Sequence, residues 1–407
     1  MSKDAVNGDA VNKEDTKAVR AAQFELLTQT ARDSEMGRLL RRFWQPVALS
    51  ADAAPGKAAP VRVLGEELTL YRGESGRAYL IGGRCSHRRT LLFTGWVDGE
   101  ELRCVYHGWQ YDGRGRNVRR PAEGDEGHPE CHIPGYPVHE YCGLVFAWMG
   151  EGEAPEFDLP RKPCFEREGG RVAAGRERWD THWFQQVENS LDATHVSFVH
   201  HAHTTGPFGA AVTTLVPKLE YSETDAGIKQ IGRRGENNVR ESDWTFPNNN
   251  HILVPGLAEG DPWIDVGVWV VPMDDRSSMR FILYGIPPAD DAAKRRFDEY
   301  MAKYAIYDPA AHRDALFRGE DWPEEADSFV GLTAAQDYIA IRGQGPVADR
   351  QNEFLGKSDR GIVFLRRLFW RELDAQREGR STKIWRKRAE TVELPRQPGD
   401  KTEAFAS

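Results

Sequence analysis

The sequence predicts an α+β protein in which a small antiparallel β domain precedes a larger domain of mixed helices and strands. Short β-rich stretches separated by glycines fill residues 44–149. Beyond them, strand-like runs alternate with segments of helical periodicity. The change falls across a stretch rich in proline and glycine, which is typical of a boundary between domains.

The composition is that of a large globular protein. The chain has 407 residues, enough for two or three domains, and its net charge of −9 leaves no basic excess for a phosphate backbone. It contains no apolar run long enough to span a membrane, and its polar start lacks the apolar core of a signal peptide. We therefore expect a cytoplasmic protein with no nucleic-acid or membrane partner. The five cysteines are too few for a disulfide framework, which favours metal binding or buried thiols.

Residues 1–43 are interpreted as a tail and a helical arm. Residues 1–17 are polar and mixed in charge, and we expect them to be disordered. Residues 18–43 carry apolar side chains at helical spacing, with an interruption near Asp33 and Ser34. This arm should lead into the first domain.

The first domain is assigned to residues 44–150. Its predicted strands are short and bounded by turn residues: 61–64, 68–71, 78–81, 102–105 and 144–148. Such strands are typical of a small antiparallel β domain.

The second domain is assigned to residues 165–390, after a linker-like stretch at 150–175, and residues 391–407 form a C-terminal tail. Residues 263–272 and 279–286 are predicted strands, and residues 292–304 and 362–376 are predicted amphipathic helices. Five tryptophans could line an aromatic pocket, although the core is the expected place for most of them: Trp179, Trp183, Trp244, Trp263 and Trp269.

Two loops of the β domain each pair one cysteine with one histidine. Cys85 and His87 form a Cys-x-His pair, Cys104 and His107 form a Cys-x₂-His pair, and sixteen residues separate the two pairs. Zinc fingers place cysteines together and histidines together, so the interleaving departs from their pattern, although a zinc site or four incidental core residues stay open. In a Rieske [2Fe–2S] cluster one iron takes two cysteines and the other two histidines, so each loop supplies one ligand to each iron. The spacing favours such a cluster.

Residues around and outside the loops support this interpretation. Gly82 and Gly83 before the first loop and Gly108 after the second permit close backbone approach and hydrogen bonds to the sulfides. The other three cysteines have no partner at ligand spacing and are interpreted as ordinary buried thiols: Cys131, Cys142 and Cys164.

A second constellation lies in a histidine-rich segment at 182–203. Glu188, Asp192 and His195 are spaced by four and three residues, which places them on one face of a predicted helix. His200 follows His195 by five residues, so both can bind one metal only if the helix widens or breaks between them. Two imidazoles and one carboxylate form the facial triad of non-haem Fe(II) oxygenases.

The spacing leaves alternatives open. A His-x₄-His pair can also be two surface or core histidines, and His201 or His203 could replace His200. The best candidate for the third ligand is Asp337, because its apolar neighbours in a probable helix would turn it inward. Two rival aspartates lie among charged residues that suggest exposure: Asp349 and Asp359.

Together, the two loops and the segment Asn189-x₂-Asp192-x₂-His195-x₄-His200 resemble the α-subunits of Rieske non-haem iron oxygenases. The resemblance covers roughly residues 24–375 and is closest to the phthalate-dioxygenase-like branch. Four further sequence segments carry the resemblance: residues 37–47, 103–109, 336–337 and 345–350.

The resemblance implies a Rieske domain followed by a helix-grip catalytic domain of the START/Bet v 1-like kind. It implies one [2Fe–2S] cluster, held by Cys85, His87, Cys104 and His107. It also implies one mononuclear Fe(II), for which the ligands would be His195, His200 and Asp337.

By the same resemblance, Asn189 and Asp192 are the candidate catalytic residues. Asp192 matches a carboxylate that bridges a cluster histidine of a neighbouring subunit to an iron-ligating histidine, where it would orient both imidazoles. This implies a homotrimer or a multiple of one. The first loop departs from the family in having Arg89 after Arg88, where the family usually has glycine; a second cation there could alter the potential of the cluster or the docking of an electron donor.

The family reaction requires O₂ and electrons, and the chain has no glycine-rich strand–helix motif for binding a nucleotide. The resemblance therefore implies a separate flavin and [2Fe–2S] reductase that uses NADH or NADPH, directly or through a ferredoxin. The implied substrate is an aromatic acid, which would undergo ring hydroxylation or oxidative O-demethylation. Residues 88–96 and 246–251 favour oxygenases of the 5,5′-dehydrodivanillate O-demethylase kind.

Two other classes of protein are considered. A Rieske electron-transfer protein would explain the first domain but would leave more than two hundred residues and the histidine-rich segment without a role. A zinc-stabilised binding protein would explain neither the mixed loops nor the triad. Metal analysis and absorption spectra separate these classes.

Overall fold

The computed structural model describes residues 13–124, 130–200, 215–235, 238–306 and 331–386, together with four positions between 314 and 320. Its helices, numbered in chain order, are α1 Lys13–Thr28, α2 Glu35–Leu40, α3 Trp183–Ser190, α4 Val196–Val199, α5 Asp291–Ile306, α6 Leu332–Gly343 and α7 Arg360–Arg377. The described helices include none with the length and apolar composition needed to cross a bilayer.

The N-terminal arm is helical, with the predicted interruption. Helix α1 ends at Thr28, and α2 starts after Ser34, whose Oγ accepts a hydrogen bond of 3.0 Å from the Gly37 amide. Helix α1 begins at Lys13, so the expectation of disorder was wrong for residues 13–17. Adding turns to an existing helix costs little, because each added residue gains one backbone hydrogen bond. Residues 1–12 and the predicted tail at 391–407 lie outside the described residues.

The β domain consists of three small antiparallel sheets. Its strands are β1 Gln45–Leu49, β2 Ala58–Val63, β3 Glu66–Arg72, β4 Ala78–Gly82, β5 Trp96–Asp98, β6 Glu101–Arg103, β7 Gln110–Tyr111, β8 Asn117–Arg119, β9 Gly135–Tyr136, β10 Val138–Tyr141 and β11 Leu144–Ala147. The sheet orders are β1-β11-β10, β2-β3-β4-β9 and β5-β6-β7-β8. The two Cys/His loops follow β4 and β6.

The second domain contains one antiparallel sheet of seven strands. They are β12 Arg171–Trp179, β13 Lys218–Glu223, β14 Gly227–Arg234, β15 Asn238–Thr245, β16 Asn249–Val254, β17 Ile264–Pro272 and β18 Ser278–Ile286. Their order is β12-β18-β17-β16-β15-β14-β13. All nine residues of β17 are buried, because both faces of this strand are covered.

Aromatic packing holds α3 and α7 together against this sheet. The Phe369 ring of α7 lies 5.1 Å from the ring of Phe184 in α3 and 6.1 Å from that of Trp244 in β15. Edge-on contacts of this kind are favourable between aromatic rings. This packing fixes α3, from which the chain continues to His195 and His200.

The predicted α+β class is confirmed, with an antiparallel β domain before a domain of sheet and helices. The strands predicted at 263–272 and 279–286 and the helices predicted at 292–304 and 362–376 are present as β17, β18, α5 and α7. Two predictions need correction. Strand β6 ends at Arg103, because Cys104 already opens a turn closed by a 3.0 Å bond from the Gly108 amide to its carbonyl. Strand β12 begins at Arg171, inside the stretch expected to be a linker.

Candidate metal centres

Each Cys/His loop is a short turn closed by its own backbone. In the first loop, the Arg89 amide donates to the Cys85 carbonyl and the Cys85 amide to the Thr90 carbonyl, both at 2.9 Å. In the second loop, the Cys104 amide donates to the Trp109 carbonyl at 2.8 Å. These bonds close each turn around its cysteine, and Tyr111 adds a bond to the first loop by accepting from the Ser86 amide at 3.0 Å.

The four predicted cluster residues come together, with the cysteines inside and the histidines outside. Cys85 and Cys104 are 1% and 2% exposed, whereas His87 lies at the surface and His107 is half-buried. The ring centroids of His87 and His107 are 4.5 Å apart. His87 also stacks on Trp109, at 4.7 Å and nearly parallel.

The residues fit a two-iron cluster better than a single zinc ion. Four ligands of one zinc lie close together at tetrahedral corners. These four side chains are not among the described groups whose ligand atoms all lie within 4.8 Å of one another. A separated pair of cysteines and pair of histidines is what a Rieske cluster requires, since each pair binds its own iron.

The surroundings of the cysteines also fit a bound cation. Burial raises the pKa of the Cys104 thiol, and the neighbouring Cys85 sulfur adds to the rise. Two thiolates there would therefore need metal ions to offset their charge. The Tyr111 hydroxyl lies 3.2 Å from Cys85 Sγ, where it can donate a hydrogen bond to a thiolate.

Arg89 occupies a strained position in the first loop. Its φ of 63° lies in the left-handed region, which favours glycine because a β-carbon is crowded there. This explains physically why glycine suits the position where the loop departs from the family. The side chain of the preceding Arg88 donates a hydrogen bond of 3.1 Å to the Tyr106 hydroxyl in the second loop.

Cys131, Cys142 and Cys164 are not all buried as expected. Cys164 is buried, but Cys131 and Cys142 are only half-buried. Cys131 lies beside the first loop, with its Sγ 2.8 Å from Ser86 Oγ. It contacts the loop without contributing to the predicted ligand set.

The histidine-rich segment is not the continuous helix that the spacing predicted. Helix α3 ends at Ser190, and the short helix α4 begins only at Val196. The break precedes His195, because the Asp192 carboxylate accepts a 3.1 Å hydrogen bond from the Thr194 amide and closes a local turn. His195 and His200 therefore flank α4 at its two ends.

His195, His200 and Asp337 meet, as the sequence predicted for the triad. His195 Nε2 and His200 Nε2 each lie 3.4 Å from Asp337 Oδ1, and the three ligand atoms lie within 4.8 Å of one another. Asp337 comes from α6, more than a hundred residues further along the chain. Ligands about 2.1 Å from one metal have separations of this size, so the residues fit a mononuclear centre.

The electrostatics of the triad call for a cation. Burial lowers the pKa of His195, but its contacts with Asp192 and Asp337 outweigh burial and raise the pKa to about 10. Burial raises the pKa of Asp337, but His200 and His195 hold it well below its usual range. Two buried atoms, His195 Nδ1 and Asp337 Oδ1, have no hydrogen-bond partner among the described residues. A divalent metal among the three side chains would balance the charge of Asp337.

The remaining candidates of this region occupy different positions. Asp192 is partly exposed, with Oδ2 3.8 Å from His195 Nδ1. Asn189 is half-buried at the end of α3, and its carbonyl accepts a 3.2 Å bond from the Asp192 amide. The rival Asp349 is exposed and accepts a bond from Asn352, and Asp359 accepts one from the Gly356 amide. Two predicted substitutes for His200 lie outside the described residues: His201 and His203.

Glu188 does not share a face with Asp192 and His195, contrary to the spacing argument. It is buried, and its carboxylate accepts bonds of 2.7 Å from Arg350 and 2.6 Å from Arg366. Burial alone raises the pKa of Glu188, but the two guanidinium groups lower it below the ordinary value, so the group is charged. The network joins α3, α7 and the segment after α6.

Gln185, which the sequence did not single out, fastens α3 to the end of α6. Its Nε2 donates to the carbonyls of Ile341 and Gly345, both at 3.2 Å, and its Oε1 accepts from the Ala348 amide at 3.1 Å. Since α3 leads to the two histidines and α6 carries Asp337, these bonds hold the histidines and the carboxylate at a fixed distance from each other. The sequence marked residues 345–350 as a segment shared with the family, without predicting this contact.

A second group of possible metal ligands consists of Cys164, His251 and Asp265, and its charge is already balanced by protein side chains. His251 Nε2 lies 2.9 Å from Asp265 Oδ1 and 3.6 Å from Cys164 Sγ. Arg167 pairs with the other oxygen of Asp265 at 3.0 Å. The charge of Asp265 is therefore offset without a metal. The five tryptophans singled out in the sequence, Trp179, Trp183, Trp244, Trp263 and Trp269, are likewise buried, which confirms that they belong to the core.

Comparison with known proteins tests the family resemblance. Residues 43–137 match the family described as the Rieske [2Fe-2S] domain. The chain is 32% identical to the phenoxybenzoate dioxygenase subunit alpha of Ectopseudomonas oleovorans, over 87% of this chain and 85% of that protein. It is 30% identical to the 5,5′-dehydrodivanillate O-demethylase oxygenase subunit of Sphingobium sp., over 89% of this chain and 82% of that protein.

Among solved structures, the terminal oxygenase of carbazole 1,9a-dioxygenase from Nocardioides aromaticivorans has a similar fold. Its TM-score is 0.64 at 19% identity, with 89% of this chain and 98% of that chain covered. The extent of the sequence likeness, and not the fold alone, decides the family. The chain belongs to the Rieske non-haem iron oxygenases as an oxygenase α-subunit of the phthalate-dioxygenase-like branch, with a [2Fe–2S] cluster and a mononuclear iron.

Proposed function

We propose that the chain is the oxygenase component of a multicomponent system that oxidises an aromatic carboxylate with O₂ and electrons from NAD(P)H. The observation that carries this proposal is the presence of two ligand sets in one chain, the Cys/His loops and the cluster of His195, His200 and Asp337. An electron-transfer protein needs the first set alone.

In this proposal the ligands of the cluster are Cys85 and Cys104 on one iron and His87 and His107 on the other. The cluster, when bound, supplies one electron at a time. The loops keep the cysteines away from water and place His87 at the surface and His107 partly exposed, where an electron can enter or leave through an imidazole. Tyr111 holds the Cys85 sulfur by a hydrogen bond.

The ligands of the mononuclear iron are His195, His200 and Asp337. When bound, this iron supplies the place where O₂ is activated, beside positions that three protein ligands leave open. Asp337 contributes a fixed negative charge, and burial of His200 at 2% exposure keeps bulk water from its ring. Gln185 and the Glu188 network keep both halves of the triad at bonding distance.

Asp192 and the assembly are further parts of the proposal. The Asp192 carboxylate is 23% exposed, so an imidazole from a second subunit can reach it while its other side faces His195. Two apolar side chains of the second domain, Phe198 and Val216, are more than half exposed, as are Val105 and Tyr106 in the second cluster loop. Pairing of these two patches between subunits would bury them, which supports a homotrimer or a multiple of one. Asn189 stays a candidate catalytic residue next to Asp192.

The proposed partners and substrate follow from the chemistry and the relatives. The chain lacks a glycine-rich nucleotide-binding motif, so a separate flavin and [2Fe–2S] reductase, with or without a ferredoxin, would deliver the electrons. The names of both relatives describe subunits that act on aromatic compounds, one of them by O-demethylation. We place the substrate among aromatic acids, methoxylated or not.

Oxygen uptake tests this function. The protein, loaded with iron, is mixed with a surrogate reductase and NADH, and a panel of methoxylated and unmethoxylated aromatic acids is added one at a time. Uptake that depends on one acid, with hydroxylated product or formaldehyde in matching amount, is expected, and formaldehyde identifies O-demethylation. Asp337→Ala is the control that should show none. Cluster reduction without acid-dependent uptake for any member of the panel would favour the electron-transfer alternative.

A further inference from the structure

The side chain next to Asp337 contacts the other end of a triad histidine. The Nδ1 of His200 lies 2.9 Å from Oε1 of Gln336, and both side chains are buried. Nε2 of the same ring lies 3.4 Å from Asp337 Oδ1. Consecutive residues of α6 therefore touch both nitrogens of His200.

The chemistry of imidazole decides the direction of this hydrogen bond. A neutral ring carries one proton, and a nitrogen that binds a metal cannot carry it. If Nε2 of His200 binds iron, the proton lies on Nδ1, and its partner must accept. The amide oxygen of Gln336 can accept, whereas the amide nitrogen cannot.

The two histidines are supported unequally. His195 Nδ1 has no hydrogen-bond partner among the described residues, and the nearest carboxylate, that of Asp192, is 3.8 Å away. His200 has a buried neutral acceptor at 2.9 Å. The orientation of His200 is thus fixed from within α6, while that of His195 depends on the partly exposed Asp192.

We propose that Gln336 is a positioning residue of the mononuclear centre, which sets the tautomer and ring orientation of His200 so that Nε2 faces the metal. The inference rests on the proposed ligand set. Gln336 Nε2 has no partner among the described residues, so the hydrogen bond that this amide makes within them is the one to His200. Acceptors behind a metal-bound histidine commonly change metal affinity by about ten- to a hundredfold.

The experiment measures metal affinity and not turnover. Fe(II), or Co(II) as a spectroscopic probe, is titrated into protein that has lost its mononuclear iron, in competition with a chromophoric chelator. Gln336→Leu removes the acceptor, Gln336→Asn shortens it, and Gln336→Glu keeps an oxygen in place. Gln344→Leu is the matched control, because Gln344 is exposed at the end of the same helix.

We expect Gln336→Leu and Gln336→Asn to weaken binding by about tenfold or more, Gln336→Glu to restore it, and Gln344→Leu to leave it unchanged. The Co(II) ligand-field spectrum should change in the first two variants only, and the cluster spectrum in none. Unchanged affinity in both Gln336→Leu and Gln336→Asn, or an equal loss in Gln344→Leu, would overturn the inference. Asp337→Ala tests the proposed ligand set separately from the role of Gln336. Metal binding that survives this change would refute the ligand set itself.

Discussion

The cluster loops and the triad place metal ligands by two different means. In the loops, two ligands are separated by one or two residues, and each turn is closed by its own backbone hydrogen bonds. In the triad, Asp337 and the two histidines come from distant segments that buried polar side chains hold together. Metal ligands that a local turn brings together can be predicted from their spacing in the sequence. Metal ligands that tertiary packing brings together depend on residues outside any metal-binding motif.

This contrast is tested most severely by removing one ligand of the triad. His200→Ala should abolish turnover, because a facial site with two protein ligands no longer holds iron firmly. The absorption of the cluster should stay unchanged, since the loops do not depend on α4. Oxygen uptake and the visible spectrum measure the two effects. His132→Ala, at an exposed histidine of the β domain, is the control, and a bleached cluster in His200→Ala would show that the centres are not independent.

Breaking the buried network should cost stability in the second domain. Glu188→Ala leaves Arg350 and Arg366 without their shared carboxylate, and such a change commonly costs about 3–5 kcal/mol. Denaturant unfolding followed by tryptophan fluorescence measures it, because six of the described tryptophans of the second domain are buried. Glu220→Ala, which breaks an exposed pair with Arg233, should cost no more than about 1 kcal/mol. Equal losses of unfolding free energy in the two variants would show that the buried network stabilises the domain no more than an exposed ion pair does.

A smaller effect is expected at the cluster itself. Tyr111→Phe removes the hydroxyl beside Cys85 Sγ, and hydrogen bonds to the sulfurs favour the reduced, more negative cluster. The reduction potential should therefore fall, with the iron content unchanged. A redox titration measures the potential, and Tyr106→Phe, whose exposed hydroxyl contacts Arg88, is the matched control. A potential that does not move would place the hydroxyl outside the cluster environment.

The smallest expected effect is at Arg89. Arg89→Gly relieves a left-handed backbone conformation, and the gain is offset in part by the greater freedom of glycine in the unfolded chain, so the net change should stay within about 1 kcal/mol. Thermal unfolding measures the change. A loss well above this limit would mean that the Arg89 side chain makes stabilising contacts of its own.

The sequence was sufficient where the structure is local. The Cys/His spacing identified all four side chains that meet in the β domain, and apolar runs predicted β17 and β18. It failed at Glu188, because a helical face was assumed through residues 188–195 and the Asp192 turn ends that helix early. Gln185 belongs to no recognisable motif, and Gln336 was noted only as the neighbour of Asp337, so their roles depend on which distant backbone and ring atoms the fold brings to them.

The central claim is that this chain holds two metal centres with separate ligand sets. The most direct measurement is iron content together with the cluster absorption in the wild type and in Asp337→Ala. We predict that the wild type holds the two irons of the cluster and one more, and that Asp337→Ala loses only the last, with its cluster absorption intact. A variant that keeps all of its iron, or that loses the cluster absorption as well, would contradict the account.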